Sequence, residues 1–323
     1  MIDVAAVARR PTRAFRHEAL LYAGDHEFVE CSARFIRDGL DAGEIVIVVV
    51  NSAKLRLLKE ELGEAFDTVH FSDMESVGAN PARIIPAWRQ FLGERSSGAR
   101  SLRGIGEPIW ASRTADELVE CQRHESLLNL AFAGAAAFRL LCPYDTEALA
   151  PAVIDEARRS HPMVLESGAA HPSSSYRGLA SIAEPFGEPL PEPAAGAIEL
   201  AFDAEGLAAV RTLVTRQAAH GGMDSARAYD FVLAVNEIAS NSIRHGGGGG
   251  VLRLWRMSDA IVCEIRDCGC INHPLAGRMR PTCGEGGGWG LWLANQLCDL
   301  VQVRTFSDCG VVRLHMHQPV RRS

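Results

Sequence analysis

The sequence predicts two domains in series. The first is an α/β domain on a mainly parallel sheet, and the second is an α+β domain with helices on one face of a mixed sheet. Three observations carry this expectation. In the run EIVIVVV at 44–50 every residue from Ile45 on is β-branched, as suits a strand buried on both faces. Strand-like and helix-like segments alternate through the first half, the rhythm of a parallel sheet with crossover helices. In the second half two long helical segments precede strands that come in pairs. At 323 residues the chain has room for about two domains.

The elements follow in order. Glu44–Val50 is a strand, and Ser52–Leu62, with Leu55, Leu58 and Leu62 at helical spacing, is a helix. Val69–Phe71 is a short strand. Pro81–Leu92 is a helix with proline in its first turn. Leu102–Ile105 is a strand, Ala115–Ala133 a long helix, and Phe138–Cys142 a strand closed by Pro143. Pro185, Pro189, Pro191, Pro193 and the serines at 173–175 disfavour regular structure, so 168–193 reads as a linker between domains at 1–167 and 194–323. Beyond it come a strand at Ile198–Phe202, helices at Glu205–His220 and Ser225–His245, and five glycines at 246–250 that suit no regular element. Strands at Val251–Met257 and Ile261–Arg266, a helix at Leu291–Leu300, and a hairpin of Val301–Phe306 with Val311–Met316 complete the chain.

Composition narrows the function. A formal net charge of -7 argues against general binding to a nucleic-acid backbone, although it leaves room for a local anion pocket. Residues 1–16 carry four arginines and no apolar core, so no signal peptide is expected. No apolar run approaches the roughly 20 residues of a membrane span. The 9 cysteines are an odd number in a chain long enough to bury a core, which suits reduced thiols and a cytoplasmic location. Six of them lie beyond residue 260, with Cys268 and Cys270 flanking Gly269.

The chemistry-bearing pattern lies in the second half. On the helix 225–245, Phe231, Val235 and Ile238 share one face, while Glu237, Asn241, Arg244 and His245 share another. A carboxylate one turn from a carboxamide can act as a general base beside an oxygen ligand for Mg²⁺. Asp267-Cys268-Gly269 follows a strand, where a carboxylate can accept from an exocyclic amine. Gly286-Gly287-Gly288-Trp289-Gly290-Leu291 opens a helix, where backbone N–H groups and the helix dipole favour an anion.

In their order, these motifs make residues 198–323 resemble the GHKL (Bergerat-fold) ATPase domain, a two-layer α+β sandwich, and within it the anti-sigma serine-kinase branch. NEIASNSIRHG is similar to the N-box of that branch, DCG to its G1 box and GGGWGLWLANQLCDLV to its G2 box. The resemblance implies ATP and Mg²⁺ as cofactors, Glu237 as catalytic base and Asn241 as Mg²⁺ ligand. It also implies Asp267 at the adenine amine, Gly269 lining the base pocket, and Gly287, Gly288 and Gly290 beside the phosphates. His245 would adjoin the phosphate loop. Cys270–Glu285 would form a lid whose Arg278 and Arg280 reach phosphate oxygens. Two positions depart from the pattern: Ile271 replaces a lid glycine, and Trp289 stands where the branch often has a basic residue.

Residues 15–165 resemble the MEDS sensory domain, through FRHEALLYAGDHEF, ARIIPAW, GIGEPIW, ECQRHESLLNLAF and LLCPYD. The two domains together are similar to the RsbA-like family of anti-sigma regulatory proteins. That resemblance implies a protein serine/threonine kinase acting on an anti-sigma antagonist or a sigma factor, with room for a homodimer. A non-catalytic sequestration module stays open, as does a histidine kinase using His17-Glu18. Cys121 and His124 lie three apart on a helix and, with His17, are candidates for a soft-metal or haem site that would receive a small-molecule or metal signal. The alternative is a half-buried histidine beside an inert core cysteine.

Overall fold

A computed structural model describes residues 15–95, 101–135, 137–182, 187–193, 196–282 and 288–318. The chain forms two compact units. The first comprises 1–76, 89–113 and 125–181; the second comprises 77–88, 114–124 and 182–323.

Unit 1 is built on strands β1 (Arg16–Tyr22), β2 (Ile45–Val50), β3 (His70–Asp73), β4 (Leu102–Gly106), β5 (Phe138–Asp145), β6 (Met163–Glu166) and β7 (Ala169–Pro172), in the order β3-β2-β4-β5-β1-β6-β7. All pairings are parallel except β6 with β7. The helices of the first half are α1 (Gly24–Asp41), α2 (Ser52–Leu62), α3 (Met74–Val77), α4 (Ile84–Arg95), α5 (Ala115–Ala131) and α6 (Pro151–Ser160), of which residues 77, 84–88 and 115–124 fall in the second unit. The run at 45–50 is buried at five of its six positions, as an interior parallel strand must be. Asn51 caps α2 by accepting from the Lys54 N–H. The sequence reading is silent on β1, α1, α6 and β6.

Three details differ from expectation. β5 does not end at Pro143 but runs through it to Asp145. The ladder with β4 ends at Leu141, so beyond that point β5 has only β1 as neighbour, and a residue without an N–H is accommodated on the open side. The predicted helix at 81–92 begins as a 3-10 turn, Pro81–Arg83, capped by Asn80, and its α-helical part starts at Ile84. The stretch 168–193 is not without regular structure, since it contains β7 and a 3-10 turn at Gly178–Ile182.

Unit 2 has strands β8 (Ile198–Asp203), β9 (Gly249–Arg256), β10 (Ala260–Asp267), β11 (Leu300–Thr305) and β12 (Gly310–His317), in the order β11-β12-β10-β9-β8. Every pairing is antiparallel, so the sheet is not mixed. Helices α7 (Leu207–Gly221), α8 (Ser225–His245) and α9 (Trp289–Leu297) pack on one face. β10 shows the division: Ile261, Cys263 and Ile265 join the helix-side core, and the alternate Glu264 and Arg266 take the other face. Two of the five glycines, Gly249 and Gly250, are strand residues of β9 opposite Asp203 and Phe202. No helix among the described residues is long and apolar enough to cross a membrane.

Candidate functional site

A cleft of about 650 Å³ opens in unit 2 between α8, the end of β10, the segment 270–282 and the start of α9. That volume lies in the range of small-ligand sites, about 300–1,000 Å³. Asn241, His245, Asp267, Gly269, Arg280 and Gly288 all line it. Residues far apart in sequence therefore meet at one cavity, each delivered by a different local signal. Asp224 caps α8 by accepting from the Ala226 and Arg227 N–H groups and so starts the helix that carries Glu237, Asn241 and His245.

Asp267 is held rigidly. Its Oδ1 accepts from the Gly269 N–H at 2.7 Å and its Oδ2 from the Ser242 hydroxyl at 2.5 Å. Ser242 lies on α8, so one carboxylate ties the end of β10 to that helix. Asn241 Oδ1 accepts from the Arg244 guanidinium at 3.0 Å. A carboxamide oxygen has a second lone pair, which leaves this atom able to serve a hard cation as well. The start of α9 approaches so closely that a Cβ at Gly290 would lie 2.6 Å from Asn241 Nδ2. No side chain caps α9, so its first turn carries N–H groups without a side-chain acceptor there. Trp289, its first residue, is 44% exposed.

The other predicted residues are placed differently. Glu237 is half-buried one turn before Asn241 and is not among the residues lining the cleft. Arg278 does not line it either: the guanidinium is buried and donates to Glu120 at 3.1 Å. Burial pushes the Arg278 pKa down to about 10 against the opposing pull of Glu120. Arg280 is exposed and faces the cleft. Gly287 and Cys283 lie outside the described residues, as does the lid beyond Thr282. Cys268 and Cys270 are exposed, whereas Cys263 and Cys298 are buried, and burial pushes both buried thiols up.

Among the described residues of unit 1, two buried polar clusters are of chemical interest. In the first, the Lys54 ammonium meets the Tyr22 hydroxyl and Glu107, and the Tyr22 hydroxyl donates to Glu107 at 2.9 Å. Burial pushes the Glu107 carboxyl up, and burial with the Glu107 charge pushes the Tyr22 hydroxyl far up. In the second cluster, His17, Glu125, Cys142 and His161 place one ligand atom each within 4.8 Å of all the others. His17 is 2% exposed, and burial, helped by His161, pushes its pKa down to about 4. Burial pushes the Cys142 thiol well up. Burial also raises the Glu125 carboxyl, but the neighbouring His161 and His17 rings outweigh it and hold that group far below the usual carboxylate range.

Family profiles match both halves. Residues 16–162 match MEDS, the methanogen/methylotroph, DcmR sensory domain, and residues 200–316 match the histidine kinase-like ATPase domain. The chain joins a MEDS domain to a histidine kinase-like ATPase domain. Among curated proteins none matches it. Among solved structures, the RsbU and RsbW domains of Rv1364c from Mycobacterium tuberculosis are similar at 20% identity over 41% of this chain, with a TM-score of 0.30. This chain spans about a third of the length of that one (34%).

In the MEDS domain the sequence pair Cys121 and His124 is not part of the four-residue cluster around His17. Both are buried on α5, but the residue that α5 supplies to the cluster is Glu125. Sequence reasoning did not join His161, Cys142 or Glu125 to His17. The signal was the strand pairing: β1 and β5 run parallel with His17 opposite Leu140 and Ala19 opposite Cys142, so His17 and Cys142 share a sheet face. Lys54 and Tyr22 gave no sequence signal.

Proposed function

We propose that the ATPase domain binds ATP·Mg²⁺ in the 650 Å³ cleft and transfers the γ-phosphoryl group to a serine or threonine of an anti-sigma antagonist. The reading rests on one observation above all. Asn241, His245, Asp267, Gly269, Arg280 and Gly288, named in advance as nucleotide contacts, converge on a single cavity large enough for a nucleotide. The Asp267 carboxylate, pinned by Ser242 and Gly269, is the acceptor for an adenine amine. Asn241 would hold Mg²⁺ through its amide oxygen, and the cofactor supplies the phosphoryl group and neutralises charge on it. Arg280 and the first turn of α9 orient phosphate oxygens. Glu237 would take the proton of the attacking hydroxyl.

A sequestration module that binds its partner without phosphotransfer is the second reading. It is favoured by the placement of Glu237 outside the cleft lining and by the exposed Trp289 at the mouth of α9. A histidine-kinase reading has no support from His17, whose ring is buried among Asn129, Glu125 and Cys142.

Calorimetry of the full chain with ATP·Mg²⁺, followed by incubation with labelled ATP and candidate antagonists, tests these readings. Binding with transfer that Glu237→Ala abolishes supports the kinase. Binding without transfer, unchanged by Glu237→Ala, replaces it with the sequestration module. No binding at all overturns both.

A further inference from the structure

The cluster of His17, Glu125, Cys142 and His161 is built from four separate elements of unit 1: β1, α5, β5 and the residue capping α6. All four side chains are buried. Their hydrogen bonds fix how each presents itself. Asn129 donates through Nδ2 to the Ser160 carbonyl at 2.8 Å, which turns its Oδ1 toward His17 Nδ1 at 3.1 Å. An amide oxygen only accepts, so His17 Nδ1 carries the proton. His161 Nδ1 lies 2.8 Å from the Ala157 carbonyl, which likewise only accepts, so that nitrogen is also the protonated one.

Both imidazoles therefore turn an unprotonated Nε2 inward. His17 Nε2 lies 3.1 Å from Glu125 Oε2 and 3.3 Å from Cys142 Sγ. His161 Nε2 lies 3.3 Å from the same Oε2, within ion-pair distance but outside hydrogen-bond geometry. His161 Nε2 and Glu125 Oε1 are buried without a hydrogen-bond partner. Two nitrogen lone pairs and a carboxylate oxygen thus converge on one point, where the single proton of a thiol cannot serve all of them. Protonating both rings instead would place two cations in rings only 3.9 Å apart. One divalent cation bound by a thiolate resolves every contact.

We propose that the MEDS domain holds one borderline-soft divalent metal ion, best matched by Zn²⁺, on His17 Nε2, His161 Nε2, Cys142 Sγ and a Glu125 carboxylate oxygen. Zn–N and Zn–O bonds of about 2.0–2.2 Å and a Zn–S bond of about 2.3 Å set tetrahedral ligand separations of roughly 3.3–3.6 Å. Three of the six ligand separations, at 3.1, 3.3 and 3.3 Å, fall at or just below that range, and all six lie within 4.8 Å. The nitrogen, oxygen and sulfur donors suit zinc rather than Mg²⁺ or Ca²⁺, and the outer hydrogen bonds from both Nδ1 atoms are the usual support for metal-bound histidine. Binding releases the Cys142 thiol proton to solvent, leaving no other change in the covalent structure.

The test uses the full chain, stripped with a chelator and reloaded with Zn²⁺ or Co²⁺ alone. The expected result is one Zn²⁺ per chain by elemental analysis. With Co²⁺, tetrahedral ligand-field absorption should appear together with a thiolate charge-transfer band. Cys142→Ser should remove the charge-transfer band, and His161→Gln should weaken Zn²⁺ binding by at least about tenfold. Circular dichroism checks the fold of each variant, and Cys142→Ser, nearly isosteric, decides the case where His161→Gln misfolds. A chain that takes up neither metal overturns the proposal. So does a charge-transfer band that persists in Cys142→Ser, because the thiolate then comes from another cysteine.

Discussion

Gly246 gives the sharpest test of the base pocket. Its φ of -104° is open to any residue, so alanine there carries no left-handed backbone strain. The added Cβ, however, would sit 2.5 Å from Asp267 Cγ and 2.7 Å from Oδ2. Reaching an ordinary contact of 3.4 Å requires the carboxylate to retreat by about 0.9 Å. Such a shift breaks the 2.5 Å bond from Ser242 and the 2.7 Å bond from the Gly269 N–H, and it moves the acceptor proposed for the adenine amine. A hydrogen bond to a charged group contributes about 1.5–3 kcal/mol. Losing the one to the ligand predicts roughly 10- to 100-fold weaker ATP binding. Gly247→Ala is the control. Gly247 has a φ of +90°, so alanine is strained, but the nearest atom to its Cβ is Cys268 Cβ at 3.5 Å and the pocket is untouched. Titration calorimetry with ATP·Mg²⁺ on both folded variants reads the difference. Affinities within about twofold of each other would refute the role given to Asp267.

The two lid arginines should separate cleanly. Arg280→Ala should weaken ATP binding about two- to fivefold with an unchanged melting temperature, whereas Arg278→Ala should cost roughly 1–3 kcal/mol of stability through the buried Glu120. Thermal melts alongside nucleotide titrations decide this, and equal effects on binding would refute it. His315 supplies a pH dependence. It is buried against Gln302, and burial, with the charges of Arg313 and His317, lowers its pKa to about 4. The unfolded chain therefore binds the extra proton first. Stability is full above about pH 6.5 and falls as pH drops toward 4, by up to roughly 3 kcal/mol. Urea unfolding between those limits should show a shallower pH slope in His315→Gln, and an unchanged slope would count against the assignment.

What could be read from sequence was what is local. Glu237, Asn241 and His245 share a face because four residues make about one helical turn, and α8 spans Ser225–His245 as expected. The pocket residues from β10 and α9 were legible because strand-end and helix-start signals are short. The MEDS cluster was not, because its ligands come from residues 17, 125, 142 and 161 and meet only through sheet order. Spacing pointed to Cys121 and His124. A helix turns about 100° per residue, so the step from His124 to Glu125 changes which neighbour a side chain meets. Pro143 and the glycines at 249–250 misled for a related reason: propensity describes a residue alone, while a strand that loses one neighbour tolerates proline and a close crossing tolerates glycine.

The sheet face of unit 2 opposite its helices raises a different question, since an antiparallel sheet can leave one face to water, yet Glu264 on that face is buried. Beside a small apolar cluster of Trp255, Ala260 and Val262, the cover is ionic. Glu264, 0% exposed, accepts from Arg313 at 2.6 and 3.0 Å, from Arg266 at 2.7 Å and from Arg253 at 3.4 Å. The proline-rich segment joins the network, because Glu192 pairs with Arg253 and Arg266, and Arg313 donates to the Pro191 carbonyl at 2.7 Å. Proline suits this role: its ring fixes an extended backbone whose carbonyls accept from arginines without competing N–H donors. Removing one partner of a buried pair costs about 3–5 kcal/mol, because the remaining charge stays buried. Glu264→Gln, which leaves the buried Arg313 without its carboxylate, should therefore lower the urea midpoint of unit 2 strongly. Glu192→Gln, at an exposed carboxylate, should cost no more than about 1 kcal/mol. Fluorescence of Trp255, whose ring lies 5.0 Å from the Arg313 guanidinium, reports this face directly. If the two variants unfold at the same midpoint, Glu264 is not the anchor of the network and the segment at 187–193 is held by its carbonyls alone.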